Sequence, residues 1–181
     1  MKHISRRKFL KLGMLAAAMP LPASASAWLA PPERRLSFHN LHTGEHVDLP
    51  YWVQGDYVPE SLAEINHVLR DFRNNQVAAI DTRLLDLLDR VKAELGTSRP
   101  FQVISGYRSP ATNHMLSERS SGVARHSLHM EAKAIDIRIP GIQLADLHRA
   151  GLKLKGGGVG YYPASDFVHL DVGRVRSWGG S

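Results

Sequence analysis

His129, Asp136 and His169 are the residues on which chemistry can be built. The first two lie in His126-Ser127-Leu128-His129-Met130-Glu131-Ala132-Lys133-Ala134-Ile135-Asp136, the third in Phe167-Val168-His169-Leu170-Asp171-Val172. Two imidazoles and one carboxylate leave zinc a fourth position open for water, the arrangement of a catalytic rather than a structural site. Such an ion brings the ionisation of water close to neutral pH. Nitrogen and oxygen donors accept other divalent ions as well, so zinc is the expectation rather than the sole reading. In a chain with 10 histidines and 17 acidic residues, His-x6-Asp alone is a weak signal, and its weight comes from the elements around it.

Those elements read as strands. Ile135, Ile137 and Ile139 alternate with Ala134, Asp136 and Arg138, so Asp136 points out of the sheet, away from the isoleucines. Val168, Leu170 and Val172 form the buried face of the later segment, which puts Phe167, His169 and Asp171 together on the other. Pairing the two strands sets His169 beside Asp136. There is no HExxH helix. His126 would align with His129 on a helix, but the strand pattern that follows argues against one, which leaves His126 as a neighbour at most.

Asp171 shares the face of His169. It either takes a proton from the attacking water or orients a ligand from behind. Asp166 lies three residues before His169 and reaches the cleft only if the turn from Pro163 to Ser165 extends that far. Both aspartates stand as candidate bases. Arg108 follows the strand Phe101–Ser105 in Gly106-Tyr107-Arg108-Ser109-Pro110. It is either a surface charge or a fixed guanidinium that binds a substrate carboxylate or a developing oxyanion.

The rest reads as scaffold. A hairpin is expected from Arg35 to Tyr51 with its turn at Gly44. It scatters His39, His42 and His46 over both faces and the turn, as surface or packing residues. Helices are expected from Pro59 through Asn74, from Asp81-Thr82 to Gly96, over Asn113 to Ser120, and from Ile142 through Ala150, the last ended by Gly151. The run Gly156 to Gly160 lacks the Gly-Lys-Ser/Thr of a phosphate loop and reads as a turn entering a strand. Tyr161 and Tyr162 after it either border a substrate groove or pack.

At 181 residues and 43% hydrophobic content the chain can bury a core, and its length suggests one domain. Ser5-Arg6-Arg7-Lys8-Phe9-Leu10-Lys11, an apolar run to Leu21 and small residues at Ala23, Ala25 and Ala27 form a twin-arginine export signal. The apolar run is too short for a bilayer and is broken by Pro20 and Pro22. The expected organisation is therefore a signal over 1–27, a flexible lead-in over 28–35 and a single zinc peptidase domain over 36–181. Without the signal, five basic residues leave the total of 23, so 18 remain against 17 acidic ones, a net charge of +1 instead of +6. That balance argues against a nucleic-acid partner. Cysteine is absent, so disulfides and thiolate sites are excluded. The lack suits a protein that folds before it is exported.

Ser105-Gly106-Tyr107-Arg108-Ser109, Ser127-x-His129-x6-Asp136 and Phe167-Val168-His169-x-Asp171 resemble the motifs of the M15-type (DD-peptidase-like) zinc metallopeptidases. The run from Leu41-His42-Thr43-Gly44-Glu45 through Gly157-Gly158-Val159-Gly160-Tyr161-Tyr162-Pro163 to Asp171 is similar to the exported murein endopeptidase K group. The resemblance covers nearly all of the chain after the leader. It implies an α+β, hedgehog-like fold in which a small antiparallel sheet, packed by helices, carries one zinc ion. It further implies His129, Asp136 and His169 as the zinc ligands and Arg108 as the arginine that meets substrate or oxyanion. Cleavage of peptide cross-links in peptidoglycan follows, in some relatives between two diaminopimelate residues.

Two departures stand out. Many relatives have glycine where Ala132 stands. The wider superfamily often places its base two or three residues before the last zinc histidine, where this chain has Phe167 and Asp166. The expectation is a periplasmic, zinc-dependent murein endopeptidase acting on peptidoglycan peptide stems. It meets the twin-arginine translocase during export, and no stable membrane insertion is expected after cleavage of the signal. A carboxypeptidase on murein peptides and a non-catalytic cell-wall binding module are the alternatives.

Overall fold

Backbone pairing of two segments more than thirty residues apart sets the architecture. Asp136 pairs with His169 and Ile137 with Val168 where β5 (Ala134–Arg138) runs antiparallel to β7 (Phe167–Asp171). The structure is a computed structural model that describes residues 32–119 and 124–179, so the expected export signal lies outside the described residues.

Around that pair the sheet grows to eight strands, in the order β3-β2-β1-β4-β5-β7-β6-β8. The other strands are β1 (Glu33–Asn40), β2 (His46–Val53), β3 (Asp56–Tyr57), β4 (Phe101–Ser105), β6 (Gly158–Tyr162) and β8 (Arg176–Trp178). The α+β class holds, but the sheet is larger than expected, and β1 with β4 and β6 with β8 pair in parallel. The lead-in expected to run to Arg35 is shorter, because Glu33, Arg34 and Arg35 already pair with β2.

One face of the sheet is packed by helices. Leu36, Phe38, Phe101, Val103, Ile135, Ile137, Val168 and Leu170 are buried in one cluster with Ile65 from α1 (Pro59–Val68) and Leu84, Leu88 and Val91 from α2 (Thr82–Leu95). Truncating one of these leucines to alanine costs about 2–5 kcal/mol. Asp81 caps α2 by accepting the Arg83 N–H, and Gly96 closes it with φ 59°, as the sequence suggested.

Two helix ends differ from expectation. α1 stops at Val68 rather than near Asn74, because the next residues spend their polar groups elsewhere. The Asp71 carboxylate accepts the N–H groups of Arg73 and Ser109, and Asn74 Nδ2 donates to Ser109 Oγ. α4 (Leu144–Leu154) runs through Gly151 instead of ending there. A Cβ at Gly151 would stand 2.9 Å from Leu170 Cδ2, so this glycine lets the helix press onto the sheet rather than terminate. The remaining helix, α3 (Pro110–Arg119), begins three residues earlier than the sequence suggested.

Candidate metal centre

The opposite face of the β5-β7-β6-β8 half carries the functional groups. Paired residues project to the same side, so Asp136, His169, Gly160 and Trp178 form one row across four strands. His129 comes to it from a short 3-10 turn over Leu128–Glu131, started by Ser127 Oγ accepting the His129 N–H. The strand pattern that follows His129 predicts no helix there, so this turn is a difference from expectation. The turn ends on Ala132 in the left-handed conformation, φ 53°, which favours glycine.

The three expected ligands converge. Asp136 Oδ1 lies 2.8 Å from His169 Nδ1 and 3.2 Å from His129 Nε2, and the two nitrogens are 3.2 Å apart. Ligands held at 2.0–2.1 Å in a tetrahedron are about 3.3 Å from one another, so this triangle has the size of one face of such a site. Each imidazole is committed by its other nitrogen: His129 Nδ1 faces the Gly106 carbonyl at 2.7 Å, and His169 Nε2 faces Asp171 Oδ2 at 3.1 Å. Both partners are acceptors, so each ring donates outward and turns its lone pair toward the centre. Three electron-rich atoms aimed at one point fit a cation.

Asp136 points out of the sheet as its place on the strand suggested, yet it is buried, 6% exposed, because the His129 turn and the Arg108 loop wall it in. Burial alone would raise its carboxyl, but the charge and hydrogen bonds of His129 and His169 outweigh burial and hold it below the usual carboxylate range. Burial would lower His169, yet its bonds to Asp136 and Asp171 raise it.

Asp171 is fully buried and fully engaged. Oδ1 accepts the N–H groups of Gly158 and Gly173, and both carboxylate oxygens accept from Arg176, the shorter bond being 2.7 Å. Despite burial, these partners and His169 depress its carboxyl. Of the two roles left open for it, the geometry favours the orienting one. Asp166 is not brought to the cluster. It sits at φ 53° on an exposed corner, bound 2.5 Å from Arg138, the next residue beyond Asp136 on that strand face, and does not line the cleft over the cluster.

Arg108 does face the site. Gly106 makes this possible, since a Cβ there would lie 2.4 Å from the Leu69 carbonyl, which itself accepts the Tyr107 N–H. Arg108 Nη2 is 3.6 Å from Asp136 Oδ2 and 3.3 Å from Ser105 Oγ, while Nη1 reaches Asn113 Oδ1. Its Nε is buried with no partner among the described residues.

A cleft of about 530 Å³ opens over the cluster, walled by Arg108, Tyr162, Phe167, Arg176 and Trp178, with His126 exposed on its rim. Neither Arg176 nor Trp178 stands out in the sequence. Their one signal is a spacing of two, which puts both on one face of a strand only three residues long. The glycine run is explained by the same two residues. A Cβ at Gly158 would be 2.4 Å from both Arg176 Nη1 and Asp171 Oδ2, and one at Gly160 would be 2.8 Å from the Trp178 ring.

Of the hairpin histidines, His39 and His46 share one face rather than separating, and stack with centroids 3.8 Å apart. His42 lies in the turn and stacks on Phe72 at 3.9 Å, so all three are surface or packing residues as expected.

The family model described as peptidoglycan L,D-endopeptidase MepK matches residues 29–178. The chain is 47% identical over 176 residues to the peptidoglycan L,D-endopeptidase MepK of Escherichia coli strain K12, covering 96% of this chain and 97% of that protein. It is 39% identical over 179 residues to the probable peptidoglycan L,D-endopeptidase MepK of Haemophilus influenzae, covering 97% of this chain and 96% of that one. With a match of that extent and a complete His129–Asp136–His169 cluster, the chain belongs to the MepK family of M15-type peptidases.

Proposed function

We propose that this protein is a zinc-dependent peptidoglycan L,D-endopeptidase that opens peptide cross-links in the periplasm, reached through its twin-arginine signal. The observation that carries the reading is the convergence of His129 Nε2, His169 Nδ1 and Asp136 Oδ1, each ring held by an acceptor behind it. The extent of identity to MepK relatives supports the substrate class. The ligand set being complete disfavours an idle binding module.

His129, Asp136 and His169 would hold the ion. When bound, zinc supplies Lewis acidity toward the scissile carbonyl and toward water. The protein's own groups do the rest. Gly106 and Asp171 keep the two imidazoles in the ligating tautomer. Arg108 presents fixed N–H donors to the same cleft, suited to a stem-peptide carboxylate or to the oxyanion. It stays cationic although burial lowers it, because Asp136 stands opposite.

Digestion of purified cross-linked murein tests this. The metal-loaded wild type converts dimeric muropeptides to monomers, and fragment masses name the bond. His129→Ala leaves the dimers intact. Loss of only a terminal residue would instead favour a carboxypeptidase, and binding to sacculi without release would favour the binding module. Fractionation of cells carrying the native or an Arg6→Lys/Arg7→Lys signal tests export, with periplasmic protein expected only from the former.

A further inference from the structure

The cleft is also walled by Tyr162 and Trp178, which are joined by a hydrogen bond of defined direction. Trp178 Nε1 lies 2.7 Å from the Tyr162 hydroxyl oxygen. An indole nitrogen can only donate, so the phenol oxygen is the acceptor and its own proton must point elsewhere. Among the described residues nothing takes that proton. Tyr162 stands on the metal-centre face of β6, two residues beyond Gly160, which pairs with His169. It is half-buried and lines the cleft that His129, Asp136 and His169 floor.

The indole is itself fixed. It lies 5.1 Å from the His169 ring, under the Arg176 guanidinium at 4.7 Å, in the space left by Gly160. Arg176 in turn grips Asp171, which orients His169. One small strand therefore sets both the imidazole behind the metal centre and the phenol beside it.

Resting on the endopeptidase reading, we propose that Tyr162 is a further catalytic residue. Its hydroxyl, aimed by Trp178, donates a hydrogen bond to the oxygen of the scissile carbonyl as that oxygen takes on negative charge. Trp178 is the positioning residue. A fixed donor of this kind strengthens as charge develops and needs little reorganisation during the reaction. No proton is transferred, so the step requires no further partner.

The test compares wild type, Tyr162→Phe, Trp178→Phe and the double variant on cross-linked muropeptide dimers, each with bound metal and melting temperature measured. Tyr162→Phe keeps the ring and its stack on Phe167. Its kcat is expected to fall about 100-fold with little change in KM, the scale of one oxyanion donor. Trp178→Phe should lower kcat by about 10-fold, at the lower end of the range for removal of a group that orients a catalytic one. The double variant should be no slower than Tyr162→Phe, because the indole acts through the hydroxyl. An active wild type with an unchanged kcat in Tyr162→Phe overturns the proposal alone, as does a change confined to KM or a loss traced to missing metal. A metal-loaded wild type that leaves dimers intact removes the endopeptidase reading and this proposal with it.

Discussion

The molecule brings histidines together twice, to different ends. On the hairpin, His39 and His46 lie face to face, and burial together with the neighbouring ring lowers His39. At the sheet centre, His129 and His169 meet edge to face, 5.0 Å between centroids, with a carboxylate between their nitrogens and a fixed acceptor behind each ring. Both pairs bring two imidazoles into contact. What differs is where the lone pairs point, and that is decided by the atoms behind the rings rather than by the histidines themselves.

The largest break in this contrast comes from the ligands. His129→Ala or Asp136→Ala should reduce dimer cleavage below detection and abolish stoichiometric metal binding. A chelator should do the same to the wild type. His39→Ala and His46→Ala should leave the cleavage rate unchanged and shift stability by about 0.5 kcal/mol or less, as substitutions away from a site do. A hairpin variant that lost metal would erase the distinction.

A smaller effect is expected behind the ligand. Asp171→Asn keeps the shape but presents at best one acceptor oxygen to His169, Arg176 and the two glycine N–H groups. Metal affinity or activity should fall about 10–100-fold, the range for groups that orient a ligand. Equal loss in Asp166→Asn would contradict the geometry, since that carboxylate is exposed and held by Arg138. Titration with metal while following activity separates the two variants.

The centre of the site was legible for the same reason that it is rigid. β5 and β7 alternate over five residues each, so their faces and the pairing of Asp136 with His169 follow from period two. The Arg108 turn was marked by glycine and proline. What escaped was whatever depends on contacts between distant segments. The end of α1 is set by Asp71 reaching Ser109, 38 residues away. Gly151 looks like a helix stop until Leu170 is placed above it. β8 is too short to show a period, so Arg176 and Trp178 acquire meaning only from Asp171 and Tyr162.

Ala132 sharpens the point at lower amplitude. It ends the His129 turn with a positive φ, which costs an L-residue about 1–2 kcal/mol. Its methyl is buried, 2% exposed, and glycine would also have more freedom to lose on folding. Ala132→Gly should therefore stabilise by under about 1 kcal/mol, read as a rise in the denaturant midpoint, with metal affinity unchanged.

The smallest effect belongs to the hairpin, and it concerns stability alone. Glu45 Oε2 accepts from Arg70 at 2.6 Å and from Thr43 at 2.7 Å, and these bonds, opposed by burial, lower its carboxyl from 4.5 to about 2. A carboxyl depressed in the folded state contributes its full stabilisation above the unfolded value and loses it as pH falls toward the folded one. Glu45 is one third exposed, so solvent screening keeps the contribution to about 1 kcal/mol or less. Denaturant midpoints of wild type and Glu45→Gln should differ at pH 7 and draw together between about pH 4.5 and 2. Dimer cleavage at neutral pH should be the same for both. A gap that persisted at pH 2 would mean that the ion pair is not what Glu45 contributes, and a loss of cleavage would tie the hairpin to the chemistry after all.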